Sequence, residues 1–150
     1  MDALQTLVEL EALRNLKASY WYYLDTKDWE SWLNLFTPDA SLAWDAEASV
    51  RGKESPLAGR HVGIDAIRKN VVEALLDPSQ TVHMGHAPLL ELTSDDTAKG
   101  IWPLEDIVNH PSGSITHGYG HYRETYKKVD GKWKIASLHL TRLRVVNTSL

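Results

Sequence analysis

The chain contains no cysteine, which excludes disulfide scaffolds, zinc–thiolate sites and thiol nucleophiles. It also lacks a basic field, because 16 Lys and Arg against 20 Asp and Glu leave a net charge of −4, so no nucleic-acid partner is expected. No apolar run approaches the roughly 18 residues that span a bilayer, so no membrane partner is expected. The N-terminus shows no positively charged segment ahead of an apolar core, and the cytoplasm is therefore the expected location.

The length and the aromatic residues are the first positive signals. A chain of 150 residues is most simply one domain, so we predict a single domain over residues 1–150. Six Trp and six Tyr stand against one Phe. Aromatic rings with polar groups suit an apolar wall that must also make hydrogen bonds, which favours a ligand pocket.

Helical periodicity dominates the first half of the chain. Apolar residues recur at three- and four-residue steps over residues 3–24, which predicts an amphipathic helix. Its apolar positions are Leu4, Leu7, Val8, Leu13, Leu16, Tyr20, Tyr23 and Leu24. A second, short helix is predicted over residues 28–36, with Asp28 as its N-cap and Pro38 soon after its end. A third helix is predicted over residues 63–76.

Alternating patterns dominate the second half. They predict strands over residues 81–86, 89–93, 97–109, 115–129 and 132–145, with shorter strands earlier at 40–45 and 57–61 and a tail after residue 145. Asp130-Gly131 between two alternating runs is a strong signal for a two-residue hairpin. Residues 46–56 form a loop that is either a mobile lid or an ordinary surface loop.

This order of elements predicts an α+β fold, in which N-terminal helices pack on one face of a curved antiparallel sheet and enclose a pocket. Gly100, Gly118 and Gly120 inside the long strands indicate bends or bulges in that sheet.

The seven histidines do not form an obvious metal site. His117 and His121 lie on one predicted strand, where four residues span roughly 13 Å, too far to share a metal ion. His83 and His86 differ by an odd number, so a regular strand points them to opposite faces. A site assembled from different strands stays open, but no metal is predicted.

An acid and a histidine are the remaining catalytic candidates. Asp25 follows the aromatic run Tyr20–Leu24 and is either a solvent-facing residue at a helix end or a buried acid that orients a base. A carboxylate that holds one imidazole nitrogen makes the other an effective base near neutral pH. A strand histidine that faces the cavity could be that base, and the alternation alone does not say whether His83 or His86 faces inward.

Asp106 lies on an apolar face of its predicted strand and needs a partner there. Either Arg142 or Arg144 on the last strand could pair with it. The pair is either structural or part of a substrate-binding site.

Three segments carry a resemblance to a known family: LDTKDW at 24–29, TVH at 81–83 and YKKVDGKWKI at 126–135. With the order of elements, they make residues 4–145 resemble the nuclear-transport-factor-two-like superfamily, and within it the SnoaL-like, scytalone-dehydratase-like branch. That branch includes scytalone dehydratase, hexachlorocyclohexane dehydrochlorinase and bile-acid 7α-dehydratase.

The resemblance implies that Asp25 and His83 form the acid–histidine pair of these enzymes. It also implies pocket roles for Tyr20, Asp106 and one of the two arginines. An ideal helix places Tyr20 and Asp25 about 140° apart, so the helix is expected to end or bend before both can serve one cavity.

Departures from the family pattern concern the groups around the pair. Leu24 stands where scytalone dehydratase has a Tyr, Tyr122 where it has an Asn, and Tyr20 where the dehydrochlorinase has a Lys. These differences imply related chemistry on a different substrate.

We therefore predict a cofactor-free lyase, a dehydratase or other elimination enzyme, that acts on a small and mostly apolar ring compound of aromatic, polycyclic or steroid-like type. The substrate would stack among Trp29, Trp44, Trp102 and Tyr122. The alternatives are an isomerase or cyclase with the same base, or a non-catalytic ligand-binding or assembly subunit like the small subunit of ring-hydroxylating dioxygenases. The resemblance also implies a homo-oligomer, either a trimer or a dimer.

Overall fold

The computed structural model describes residues 2–48, 57–72 and 79–149. The helices are α1 (Ala3–Thr26), α2 (Trp29–Leu33) and α3 (Ile64–Ile67), the last continuing into one π-helical turn at Arg68–Val72. The strands are β1 (Phe36–Ala48), β2 (Leu57–Val62), β3 (Gln80–Gly85), β4 (Leu89–Leu92), β5 (Thr97–Asn109), β6 (Ile115–Val129) and β7 (Lys132–Thr148).

Two aspartate caps and one residue in the left-handed conformation set the bounds of the two N-terminal helices. The Asp2 side chain accepts a hydrogen bond from the Gln5 backbone N–H (2.7 Å) and caps α1. Lys27 ends α1 in the left-handed conformation (φ 61°), and the Asp28 side chain then caps α2. The two predicted N-terminal helices are thus present, and Asp25 lies in the last turn of α1.

The seven strands form one curved sheet in the order β2-β1-β7-β6-β5-β3, with β4 also paired to β5. Strands β3 and β4 lie end to end along the same edge of β5. The predicted α+β class is confirmed. One strand pair departs from the antiparallel expectation, because β1 runs parallel to β7. Parallel neighbours need a long connection, and residues 49–131 lie between these two strands.

The β6–β7 hairpin confirms the Asp-Gly signal. Asp130 and Gly131 both have positive φ (49° and 74°), as a type I′ turn requires. The two strands stay paired up to Ile115 and Thr148. Strand β7 therefore continues past residue 145, where a tail was predicted, because the start of β6 needs a hydrogen-bonding partner.

Four predictions for the first half differ from the structure. Helix α2 ends at Leu33 instead of residue 36, and β1 begins at Phe36 instead of residue 40. Pro38 lies where the β1–β7 register shifts, so its missing N–H costs no ladder bond. Residues 46–48 of the predicted loop are strand, and residues 49–56, with the proposed lid, lie outside the described residues. The predicted third helix is α-helical only to residue 67 and π-helical to 72.

The core lies between the helices and the inner face of the sheet. It includes Leu13, Leu16, Tyr20 and Leu24 of α1, Trp32 and Leu33 of α2, and Trp102, Leu104, Tyr122, Tyr126, Ile135 and Leu138 of the sheet. The predicted apolar side of α1 is wrong in its first two turns, because Leu4, Leu7 and Val8 are exposed. In the described parts of the chain, no helix is long and apolar enough to cross a membrane.

Candidate active site

Asp25 and His83 lie side by side at one end of the core. Side chains alternate along β3, so Thr81 and His83 point inward. Val82 and Met84, on the other face of the strand, are exposed. His83 Nδ1 lies 2.6 Å from Asp25 Oδ1, and the His83 backbone N–H donates to Asp25 Oδ2 at 2.8 Å. The Thr81 hydroxyl donates to Asp25 Oδ1 at 3.0 Å. The Thr-x-His spacing thus gives Asp25 three donors from a single strand.

These contacts define the charge of the acid and the tautomer of the base. Burial by itself raises the pKa of Asp25, but the hydrogen bonds from His83 and Thr81 outweigh it and hold that pKa below its ordinary value. Asp25 is therefore a carboxylate and accepts from Nδ1–H. The neutral His83 ring then carries no proton on Nε2, which leaves that nitrogen available as a base.

Lys27 supports the pair from behind and was not identified from the sequence. Its ammonium donates to the Thr81 hydroxyl at 2.7 Å, so Thr81 accepts from Lys27 and donates to Asp25. The left-handed backbone of Lys27 turns the chain at the end of α1 and brings this side chain to β3. A local sequence pattern carries no signal for such a contact, because the two residues are 54 positions apart.

Asp25→Asn is expected to flatten the acid side of the stability profile. The folded-state pKa of Asp25 is lowered, so the unfolded chain binds more protons in acid. The contribution of the Asp25 carboxylate to the free energy of unfolding is complete above the ordinary carboxyl pKa of about 4. It is lost as the pH falls through the lower pKa of the folded state. Urea unfolding between pH 6 and pH 3 measures it, with the exposed Asp95→Asn as control. Equal pH dependence of wild type and Asp25→Asn would contradict the assignment.

His83 forms part of the wall of a mostly apolar cavity of about 260 Å³. The lining residues are Tyr20, Leu24, Trp32, Leu42, Ala43, Trp44, Asn70, Val71, Thr81, His83, Asp106, Val108, Tyr122, Leu138, Leu140 and Arg142. Asp25 is not among them. It therefore lies behind His83, and of the two residues only His83 faces the cavity.

The position of Asp25 removes the expected conflict with Tyr20. Helix α1 is continuous through both residues, so it does not end between them as the sequence led us to expect. Tyr20 lines the cavity, whereas Asp25 contacts β3 from another side of the helix. The two residues serve one site without sharing a helix face.

An aspartate–arginine pair forms another part of the wall. Arg142 on β7 donates from both terminal nitrogens to Asp106 on β5, at 2.7 and 2.8 Å. The strand between them is β6, and the position that pairs with Asp106 is Gly118. A Cβ atom on Gly118 would lie 2.2 Å from both Arg142 Nη1 and Asp106 Oδ1. The missing side chain therefore makes room for a bidentate pair that crosses β6, which we call the Asp106–Arg142 clasp.

A bulge decides between the two arginines. The β6–β7 register pairs Gly120 with Arg142 and Tyr119 with Arg144, so Leu143 is an extra residue. Residues 142 and 144 would share a face of a regular strand, but the extra residue reverses the alternation and places the two arginines on opposite faces. Arg142 lies in the cavity wall, whereas Arg144 is exposed and outside it. Of the three predicted positions, only Gly120 thus lies at a bulge, and its extra residue is on β7; the pairings of β5 with β4 and β6 show no register shift at Gly100 or Gly118.

Tyr20 and Tyr122 lie next to the clasp. Their rings meet edge to face with centroids 5.7 Å apart. Burial, with the nearby negative charges, raises the pKa of both phenols well above the ordinary value. Both hydroxyls therefore stay protonated at neutral pH and can act as hydrogen-bond donors.

Trp102 was predicted in the binding site and lies outside it. Its ring packs against Trp21, and its Nε1–H donates to the Tyr126 hydroxyl at 2.7 Å. Trp29 is also absent from the cavity wall. Trp44 and Trp32 both line the cavity, and of these two only Trp44 was predicted there. Strand alternation places Trp102 on the inner face, but the position of the cavity along that face depends on helix packing.

A metal ion has no evident place in the described residues. Across residues 2–48, 57–72 and 79–149, no three His, Asp or Glu side chains converge as metal ligands. The histidine–carboxylate pairs at His117–Glu105 and His139–Asp45 are separate two-residue contacts.

N-terminal helices packed on a large curved sheet give the protein the nuclear-transport-factor-two-like fold. A model of the SnoaL-like domain family matches residues 5–139, and the chain belongs to that family. The resemblance drawn from the sequence is thereby confirmed.

One relative found by sequence and two solved structures are similar to the chain. The probable cyclase FGR4 of Gibberella zeae is 26% identical over 138 residues, which cover 87% of this chain and 89% of that protein. The crystal structure of a putative scytalone dehydratase from Novosphingobium aromaticivorans matches with a TM-score of 0.82, 22% identity and coverage of 97% and 91%. Hexachlorocyclohexane dehydrochlorinase LinA-type3 from Novosphingobium barchaimii matches with a TM-score of 0.75, 20% identity and coverage of 98% and 94%. At these identities the two structures show a shared fold.

Proposed function

We propose that the protein is a cofactor-free lyase that removes water or another leaving group from a small ring compound. The observation that carries the proposal is His83, which is held through Nδ1 by Asp25 at 2.6 Å and lines an apolar cavity. The names of the relatives, a cyclase, a dehydratase and a dehydrochlorinase, support an enzyme of the lyase or isomerase type.

His83 Nε2 acts as the general base in this proposal. It takes a proton from a carbon next to an activating group, and the imidazolium that forms is stabilised by the Asp25 carboxylate. The electron pair of the broken C–H bond becomes a new double bond. The bond from the adjacent carbon to the leaving group breaks as that double bond forms.

The Asp106–Arg142 clasp and the two tyrosines assist the leaving group and the activating group. Arg142 carries only donors, and the Tyr20 and Tyr122 hydroxyls remain protonated. They can donate hydrogen bonds to an oxygen of the ring compound, including the oxygen of a departing group. A buried site makes such donors more effective than they are in water.

The size of the cavity supports a compound of one or two rings. An apolar cavity of roughly 150 Å³ holds benzene, and drug-sized ligands occupy roughly 300–1,000 Å³. The 260 Å³ formed by the described residues lies between these sizes. This favours a small ring compound over a steroid, which the sequence had left as an option.

Cyclisation or isomerisation by the same base is the second candidate. The similarity to a probable cyclase favours it, because proton removal by His83 can equally initiate ring closure or a double-bond shift. The two candidates differ in whether the product loses mass.

Mass spectrometry of products separates these functions. We expect ring compounds with a leaving group adjacent to an acidic C–H to lose the mass of water or hydrogen halide when incubated with the protein. A product of unchanged mass would assign the isomerase or cyclase function instead. Lack of turnover by the wild-type protein across hydroxylated ring ketones and halogenated cyclohexanes would reject the lyase proposal.

A further inference from the structure

Lys17 is a buried cation beneath the cavity that the proposed chemistry does not use. It lies on α1, is fully buried, and forms an ion pair with Glu124 of β6. Neither residue is among those that line the cavity. Removing two charges from water is costly unless their partners compensate. The presence of an ion pair at this buried position therefore needs an explanation.

The two tyrosines of the cavity wall separate Lys17 from the ligand space. Lys17 Nζ lies 3.8 Å from the ring centroid of Tyr20 and 3.6 Å from that of Tyr122. Both distances are well within the roughly 6 Å limit of a cation–π contact. The positive end of the pair therefore contacts the inner faces of two rings that line the cavity.

The negative end of the pair is bound on its other side. Glu124 accepts a hydrogen bond from the Tyr126 hydroxyl at 2.5 Å, and that hydroxyl accepts from Trp102 Nε1 at 2.7 Å. The carboxylate is held at one oxygen by Lys17 and at the other by Tyr126. The network thus orients a dipole with its cation toward Tyr20 and Tyr122.

We propose that Lys17 is a positioning residue that makes the cavity favour an anionic oxygen on a bound ring compound, acting through Tyr20 and Tyr122. A cation under a phenol ring draws electron density from it and strengthens the hydroxyl as a donor. The inference rests on the proposed elimination, in which negative charge develops on the activating group of the ring compound. The relevant ligand class is therefore a phenol or an enolisable ring ketone.

The charges around the two hydroxyls explain why such a cation is useful. Asp106 and Glu124 both raise the pKa of Tyr122, and the Arg142 guanidinium lowers it less than burial raises it. Arg142 is held by both oxygens of Asp106, which offsets its charge. Burial lowers the pKa of Lys17 to about 8, so the ammonium is present at neutral pH. The Lys17 ammonium, which contacts the faces of both rings, then offsets the negative charge of Asp106 and Glu124.

The test uses 4-nitrophenol, whose ionised and neutral forms absorb at different wavelengths. The variant is Lys17→Met combined with Glu124→Gln, because Lys17→Met alone leaves a buried unpaired carboxylate that endangers folding. The amide oxygen introduced by Glu124→Gln can still accept from the Tyr126 hydroxyl. The control is the same pair of substitutions at the exposed Lys99–Glu91 ion pair on the sheet.

We expect the apparent pKa of bound 4-nitrophenol to rise by about 1 in the Lys17→Met/Glu124→Gln variant. Loss of one positive charge at roughly 5–8 Å and an effective dielectric near 20 would raise it by about 1.5–2.5, and the simultaneous loss of the Glu124 carboxylate offsets part of that rise. The Lys99→Met/Glu91→Gln control should match the wild type. Equal apparent pKa values in the wild type and the Lys17 variant, or a wild type that does not bind the probe, would overturn the role of Lys17.

The probe also separates this inference from the proposed function. Turnover that depends on His83, together with an unchanged probe pKa, would reject Lys17 and keep the lyase. A shifted probe pKa in a protein without any turnover would reject the lyase and keep the electrostatic role of Lys17.

Discussion

His83→Gln is expected to lower kcat/KM for a ring substrate by about 10²–10⁴-fold, the contribution typical of a positioned general base. Gln keeps a side chain that can donate to Asp25 but has no nitrogen able to accept a proton from carbon. The backbone N–H of residue 83 still donates to Asp25, so the end of α1 stays attached to β3. Substrate binding should change less than kcat, because the remaining cavity wall is intact.

His86→Gln is the matched control for this prediction. It is the same substitution three residues later, at an exposed position outside the cavity wall. We expect its kcat/KM to equal that of the wild type. Equal rates for wild type and His83→Gln would remove His83 from the mechanism, and a loss of the same size in His86→Gln would show that the effect is not local.

Gly118→Ala is expected to destabilise the fold by about 1–3 kcal/mol, as other overpacked positions do, and to reduce kcat. The new Cβ would lie 2.2 Å from both Arg142 Nη1 and Asp106 Oδ1, so both ends of the clasp must move. Asp106 is only 3% exposed, so bulk water cannot replace a lost partner. Thermal or urea unfolding measures the first effect, and steady-state kinetics measure the second.

A double-mutant cycle shows whether Gly118 acts through the clasp. In a background of Asp106→Ala and Arg142→Ala the two atoms that the new Cβ would meet are absent, so Gly118→Ala should cost much less than in the wild type. Equal costs in both backgrounds would mean that the methyl group acts on the strand backbone alone. Full activity of Gly118→Ala in the wild-type background would show that the clasp geometry is not needed.

Local patterns predicted the long strands well. The bounds of β5 and β6 agree with the prediction because alternation, a polar loop and an Asp-Gly turn are all encoded within a few residues of each boundary. The end of β7 was missed because it depends on pairing with Ile115, which is 33 residues away. The first turns of α1 were misjudged because periodicity shows that a side is apolar but not what covers it.

The candidate site divides in the same way. Asp25 and His83 were paired by family resemblance, since no spacing rule connects residues 58 apart. Arg142, and not Arg144, faces the cavity because of one β-bulge. No residue type at that point of the sequence predicts the bulge. The Lys17–Glu124 pair spans 107 positions and was not predicted, because a buried lysine looks like any polar residue within a helical pattern.

The sequence by itself determined the α+β class, the three long strands, the Asp-Gly hairpin and, through its motifs, the membership in the SnoaL-like family. These properties depend on side-chain period, turn chemistry and short motifs, which are local in the chain. Only the tertiary structure decided which face of β3 points inward, which arginine joins Asp106, where the cavity ends before Trp102, and that a cation lies beneath its tyrosines. Those properties depend on contacts between distant segments, whose register and packing are set by the whole fold.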